Sequence, residues 1–247
     1  MANKEELSDF NKKLLKAIGS STEDAKGSTP RISVNKLAEY MDANATRRRK
    51  IVFDAKYPQK FIVTRYKEAR DTIKQCLENG YGEDFVLNVI EELEDKECDT
   101  EFQKQDVALS IEALELFLDT DISSLSDFNF TPTFGNELLN ISNVDISVNP
   151  DLIVSKEISG KKNIGAIKLH LSKNNTLSEE SQKIVGAIIY TYTQDFLLKR
   201  RDVANPKLCI SFDIFKQGIE ICPSAYKMRM NRIEAACEEI ALWWDRL

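Results

Sequence analysis

The sequence predicts an α+β fold: a helical N-terminal half, then a C-terminal sheet of about four strands flanked by helices. Three observations carry that reading. Glycine and proline number 9 and 6 in 247 residues, roughly half their usual shares, so long loops are few. Apolar residues recur at spacings of three and four through the first half, the period of an amphipathic helix. From Val144 onward the period drops to two, the signature of a half-buried strand.

Taken in order, Leu7, Phe10, Leu14 and Ile18 predict a first helix stopped by Gly19. Ser20 to Pro30 is the most polar stretch and reads as a linker. Val34 to Met41, a turn over Asp42 to Thr46, and Arg47 to Ala55 predict a helix pair, with Thr46 as the second N-cap. Helices follow over Phe61 to Asn79, Phe85 to Leu93 and Phe102 to Leu118. Val144 to Val154 then alternates as one strand, with Asp145, Ser147, Asn149 and Asp151 on its polar side. A turn at Ser159 to Asn163 leads into a strand from Ile164 to Ser172. Thr176-Leu-Ser-Glu179 reads as a capping box opening a helix to Arg200. Leu208 to Phe215 and Ile219 to Cys222 form a hairpin around Lys216-Gln-Gly218, and Tyr226 to Trp244 closes the chain as a helix. From Phe102 the order is α-β-β-α-β-β-α. The predicted division is a helical region over 1–100 and an α/β core over 101–247.

Composition narrows the chemistry. His170 is the single histidine, which excludes HExxH and multi-histidine metal sites. No GxxxxGK[ST] or GxGxxG run occurs, so a standard P-loop or Rossmann site is not expected. The five cysteines are scattered without a CxxC, predicting reduced, buried thiols rather than a zinc or disulfide framework. The charged N-terminus lacks a signal-like apolar region, and no run of about 18 apolar residues occurs. The expectation is a cytoplasmic protein with no membrane partner.

Net charge is −6 but unevenly spread. Residues 47–70 carry nine Lys or Arg against two acids, and residues 83–101 carry nine Asp or Glu against Lys96. Such segments either pair, within the chain or between subunits, or the basic one meets phosphate. Arg47, Arg48, Arg49 and Lys50 open the second helix of the pair at 34–55, which has the spacing of a helix-turn-helix. Arginines there suit guanine edges and phosphates. They also oppose the helix dipole, so they need negative charge nearby, from phosphate or from the acidic segment.

If the strands at Val144–Val154 and Ile164–Ser172 pair, Asp151 sits near Lys168, with His170 on the same face as the lysine. A carboxylate beside a lysine on neighbouring strands is the kernel of a metal-dependent phosphodiester site, the carboxylate holding Mg²⁺ and the lysine orienting water. Pro150-Asp151, a following strand with Lys168, then a helix and another strand resembles the PD-(D/E)xK restriction-endonuclease-like superfamily, over roughly residues 101–222. That resemblance implies an α-β-β-β-α-β core. It also implies Asp151 as metal-binding aspartate, Lys168 as motif lysine, and Glu112 or Glu115 as an extra acid on the preceding helix. The motif asks for Asp or Glu two residues before the lysine, where this chain has Ala166. Glu179, Glu180 or Asp213 could replace it, and His170 could also substitute. The string as a whole is similar to a bacterial protein family to which no activity attaches, through Arg47–Ile51, Phe61–Tyr66, Gly165–His170 and Ile233–Ile240.

Two functions are therefore expected in competition. One is a nucleic-acid-acting, Mg²⁺-dependent nuclease centred on Asp151, Lys168, His170 and Glu112. The other is a non-catalytic module, either DNA-binding through Arg47 to Lys50 or a protein-interaction module whose basic and acidic segments pair between subunits. Ala166 favours the second, and the clustering of Asp151, Lys168 and His170 favours the first.

Overall fold

A computed structural model describes residues 29–58, 65–80 and 82–247. The helix predicted over Leu7–Ile18 and most of the linker after it lie outside the described residues. The class is α+β, with strands concentrated in the second half. The chain divides into two compact units, neither of them a continuous stretch. The smaller holds described residues 29–58, Leu138–Ser147 and Asn231–Leu247, and the larger holds 65–137 and Val148–Met230. This division does not follow the linear split at residue 100, because residues 65–100 belong with the larger sheet and 231–247 with the smaller one.

In the smaller unit, β1 (Arg31–Ser33) pairs in parallel with β4 (Val144–Ser147), which pairs antiparallel with β3 (Leu138–Ile141). Ser142 and Asn143, both with positive φ, form the tight turn between β3 and β4, the conformation a two-residue hairpin needs. Helices α1 (Val34–Asp42) and α2 (Ala45–Lys56) follow β1 directly. Ser33 caps α1 by accepting from the Lys36 N–H, and Asn44, rather than Thr46, caps α2 by accepting from the Arg47 N–H. The short Ala43-Asn44 connection leaves no room for a later cap. Leu37, Tyr40, Val52, Ile146 and Ile240 are buried at the centre of this unit.

The larger unit contains α3 (Lys67–Asn79), α4 (Glu83–Glu94), α5 (Glu101–Leu118) and a mixed sheet. Along the sheet run β2 (Asn129–Pro132), β5 (Leu152–Ile158), β6 (Lys161–His170), β8 (Ile210–Asp213) and β9 (Gly218–Ile221). The short β7 (Val203–Ala204) joins β6 in parallel. β2, β5 and β6 are antiparallel in turn, β6 and β8 are parallel, and β8 and β9 form the predicted hairpin. Leu152, Val154, Ile167, Leu169, Ile210 and Phe212 share one face and pack with apolar residues of α3, α4 and α5, as period-two alternation requires. Helix α6 (Glu179–Tyr192) packs on β6, β8 and β9, with Gly186 set against the Cys222 backbone. Its N-cap is Ser178, which accepts from the Ser181 N–H, so the cap lies two residues past the predicted Thr176 and is a simple cap rather than the predicted box. A capping box does form at Thr100 and Gln103, ahead of α5. Helix α7 (Tyr226–Arg246) is the closing helix, and its Trp244 is buried.

The stretch read as one strand from Val144 to Val154 is two. β4 ends at Ser147 in the smaller unit and β5 begins at Leu152 in the larger. Between them Asn149 takes φ 41°, a left-handed conformation that breaks the pleat and that asparagine tolerates better than most residues. Asp145 and Ser147 therefore do not share a strand face with Asp151. All five cysteines are free, and burial lifts the thiols of Cys209, Cys222 and Cys237 to about 12, leaving them unreactive.

Candidate functional site

Asp151 sits where β5 starts and its pairing with β6 stops. Its N–H donates to the Ile167 carbonyl at 2.8 Å, the last rung of the ladder. Beyond this rung β6 still pairs with β8 on one side, but its other edge has no strand, and side chains take over there. The Leu169 N–H donates to Asp151 Oδ2 at 2.8 Å. Arg70, from α3, donates to Asp151 Oδ1 at 2.6 Å and to the Leu169 carbonyl at 3.3 Å. Lys168 lies 3.4 Å from Asp151 Oδ2 and donates to the Asn149 carbonyl at 2.6 Å. The left-handed turn at Asn149 is thus fixed by the lysine it helps to orient. Pro150 completes the corner, its carbonyl accepting from the Thr133 hydroxyl at 3.0 Å.

The side chain of Asp151 is 6% exposed, against 14% for Lys168 and 28% for Arg70. Burial disfavours the Asp151 carboxylate, but the Lys168 and Arg70 cations and the Leu169 N–H outweigh it and hold the carboxyl below the usual range. Lys168 is also pushed below its ordinary value, chiefly by burial and further by the nearby cations Arg70 and Lys74, against the pull of Asp151. Lys74 lies one turn after Arg70 on α3, 4.0 Å from Asp71.

The structure brings Asp151 and Lys168 together as expected, and among the described residues no second carboxylate forms an ion pair with this cluster's lysine. Glu112 instead pairs with Lys173 at 2.7 Å, and Glu115 is exposed. His170 lies on the same sheet face as Lys168 but turns to the Asn175 carbonyl, 2.7 Å from Nε2, and stands 4.0 Å from Asp213. Asp213, opposite His170 in register, is wholly buried and accepts from the Leu177 and Lys216 N–H groups. Burial raises its carboxyl above the usual range despite those donors. Glu179 pairs with Lys183 and Glu180 with Arg229.

A divalent ion needs several carboxylate or carbonyl oxygens free to coordinate it. Both Asp151 oxygens are already bonded, Ala166 is fully buried in the second carboxylate position, and a guanidinium lies against the aspartate. Among the described residues no group of three or more His, Cys, Asp or Glu gathers where it could hold a metal. This donor set does not fit Mg²⁺.

Arg70 is the residue that sequence reasoning missed. Its only trace in the sequence was Arg70 closing the basic segment, with Lys74 four residues later on the same face of α3. In the smaller unit, Arg47 pairs with Glu39 of α1, 2.7 Å from Nε. Arg48 donates to the Tyr40 and Met41 carbonyls at the end of α1 and lies 3.4 Å from Glu239. Lys50 pairs with Asp54 at 2.9 Å, and Arg49 is half-buried. The anionic environment that arginines at a helix start require is supplied here by Glu39, Glu239 and the carbonyl end of α1.

No protein-family model matches this sequence, and no curated protein matches it. No helix among the described residues is long and apolar enough to cross a membrane.

Proposed function

We propose that the protein is a non-catalytic nucleic-acid-binding module on a PD-(D/E)xK-like core, with phosphate as the partner of its cationic centre. The observation that carries this reading is the Arg70 guanidinium on the Asp151 carboxylate beside Lys168. A guanidinium neutralises the aspartate as a metal would, but it offers no coordination position at which water could be activated. The order α5, β2, β5, β6, α6, β8 supports the likeness to the α-β-β-β-α-β core, with β3 and β4 as an insertion. Arg70, Lys74 and Lys168 outnumber Asp151 and Asp71, and surplus cations at a strand end suit backbone phosphates rather than base edges.

The test is titration of the whole chain with duplex and single-stranded DNA and RNA, in chelator and in Mg²⁺. Binding should persist in chelator and weaken with salt, and the strands should stay intact. Lys74→Ala should lower the log–log salt slope by roughly 0.7–0.9, one phosphate contact. Mg²⁺-dependent cleavage that Asp151→Asn and Lys168→Ala abolish would overturn the non-catalytic reading in favour of a nuclease. Failure to bind any nucleic acid would overturn it in favour of a protein-interaction module.

A further inference from the structure

The smaller unit contains a cavity of about 490 Å³ that the cluster at Asp151 does not involve. It lies between β1, α1, α2 and the end of β4. Its size falls within the range of small-molecule sites. Its lining is of two chemistries. Ile32, Ile51 and Pro58 contribute apolar lining, and Arg31, Lys36 and Arg47 contribute cationic lining.

Charge accounting separates this cluster from an ordinary solvated face. Lys36 and Arg47 both bond Glu39, two cations sharing one carboxylate. The contacts of Glu39 hold its carboxyl below the usual range despite burial, so it stays ionised at neutral pH. Asp54, also on the wall, is matched by Lys50. Arg31 has no ion pair among the described residues. Among the described residues, four cations (Arg31, Lys36, Arg47 and Lys50) stand with two carboxylates (Glu39 and Asp54) in and beside the cavity lining, an excess of two positive charges. A phosphate monoester carries nearly that charge with opposite sign at neutral pH, and offers acceptor oxygens that an arginine fork can bridge.

We infer that this cavity binds a phosphate monoester carrying a flat apolar body, the class to which mononucleotides belong. The phosphate meets Arg31, Lys36 and Arg47, and the body lies on Ile32, Ile51 and Pro58. The site stands in a different unit from Arg70 and Lys168 and does not depend on the function proposed for them. Two sources present the same chemistry: a free mononucleotide and the 5′-phosphate end of a nucleic-acid strand.

Calorimetric titration of the whole chain with adenosine 5′-monophosphate, adenosine and inorganic phosphate tests the inference. The monophosphate should bind at least tenfold more tightly than adenosine or phosphate alone. Arg31→Glu, at an exposed strand position, should weaken it at least tenfold with the thermal unfolding midpoint unchanged, and Lys36→Ala severalfold. A 5′-phosphorylated oligonucleotide that displaces the monophosphate, when its 5′-hydroxyl twin does not, identifies a strand end as the source. Displacement by neither identifies the free nucleotide. Equal affinity for monophosphate and adenosine, no binding, or indifference to Arg31→Glu would each overturn the inference. Arg70→Ala separates the two sites, because it should leave monophosphate affinity unchanged while lowering affinity for long nucleic acid.

Discussion

Asp151 does two things with one side chain: it accepts the Leu169 N–H left without a strand partner, and it balances two cations. Removing a buried charge from such a cluster leaves the opposite charges uncompensated, at a cost of about 3 kcal/mol toward the lower end of what buried pairs show, since Arg70 is partly exposed. Asp151→Asn should therefore lower the unfolding free energy by about that amount at pH 7, as read from urea denaturation. Because the folded carboxyl lies below its ordinary value, its contribution is complete above the ordinary aspartate range of about 4 and is lost as pH falls through the folded value. The gap between wild type and Asp151→Asn should hold from neutral pH down to about 5 and close below about 4. Asp213 works in the opposite sense, its raised carboxyl favouring the fold as pH drops, but it is common to both proteins and cancels in the difference. A gap independent of pH would show that the charge of Asp151 is not what the cluster uses. The pairing with Lys168 was legible in the sequence, because neighbouring antiparallel strands with polar residues on matching sides bring such residues opposite each other. Arg70 was not legible, because which turn of α3 meets the sheet end is set by tertiary packing.

At the scale of elements, alternation located the strands but could not say where one ended. Ile146 and Leu152 carry the same apolar signal on either side of the break, although they pack in different units. Asn149-Pro150 was the available sign: a residue suited to positive φ ahead of one that cannot donate to a ladder. Gly165 in β6 shows an element constrained from outside. A Cβ there would lie 2.2 Å from the Leu208 carbonyl oxygen, a backbone atom with little freedom to retreat. Gly165→Ala should lose about 1–3 kcal/mol by forcing β6 away from the following segment, despite the better intrinsic propensity of alanine. Chemical denaturation reads the loss directly, and an unchanged midpoint would mean that the segment after Asn205 moves freely. The helices were easier to place, because α5 and α7 each sustain their apolar period over four or more turns.

For the whole molecule, interleaved connectivity was the feature least visible beforehand. No long glycine- or serine-rich linker marks the passages near 137 and 148; the chain crosses between units at short breaks whose only signals are Gly135-Asn136 and Asn149-Pro150. The larger unit has its own core and every strand of its sheet, so a chain limited to residues 64–230, with Leu138–Ser147 replaced by a short turn, should fold. Far-ultraviolet circular dichroism and one cooperative melt would check this. A non-cooperative melt would show that the larger sheet needs the removed stretches. The parallel pairing of β1 with β4 joins residues more than a hundred positions apart, and Ile233, Cys237, Ile240 and Trp244 come later still. During synthesis, β1 and the two helices after it emerge long before either partner exists. The smaller unit is thereby finished after the larger one, although β1 and the two helices that follow it precede the larger unit along the chain. Its apolar faces must wait, exposed, while the larger sheet is made, and that interval is where a chaperone would be needed.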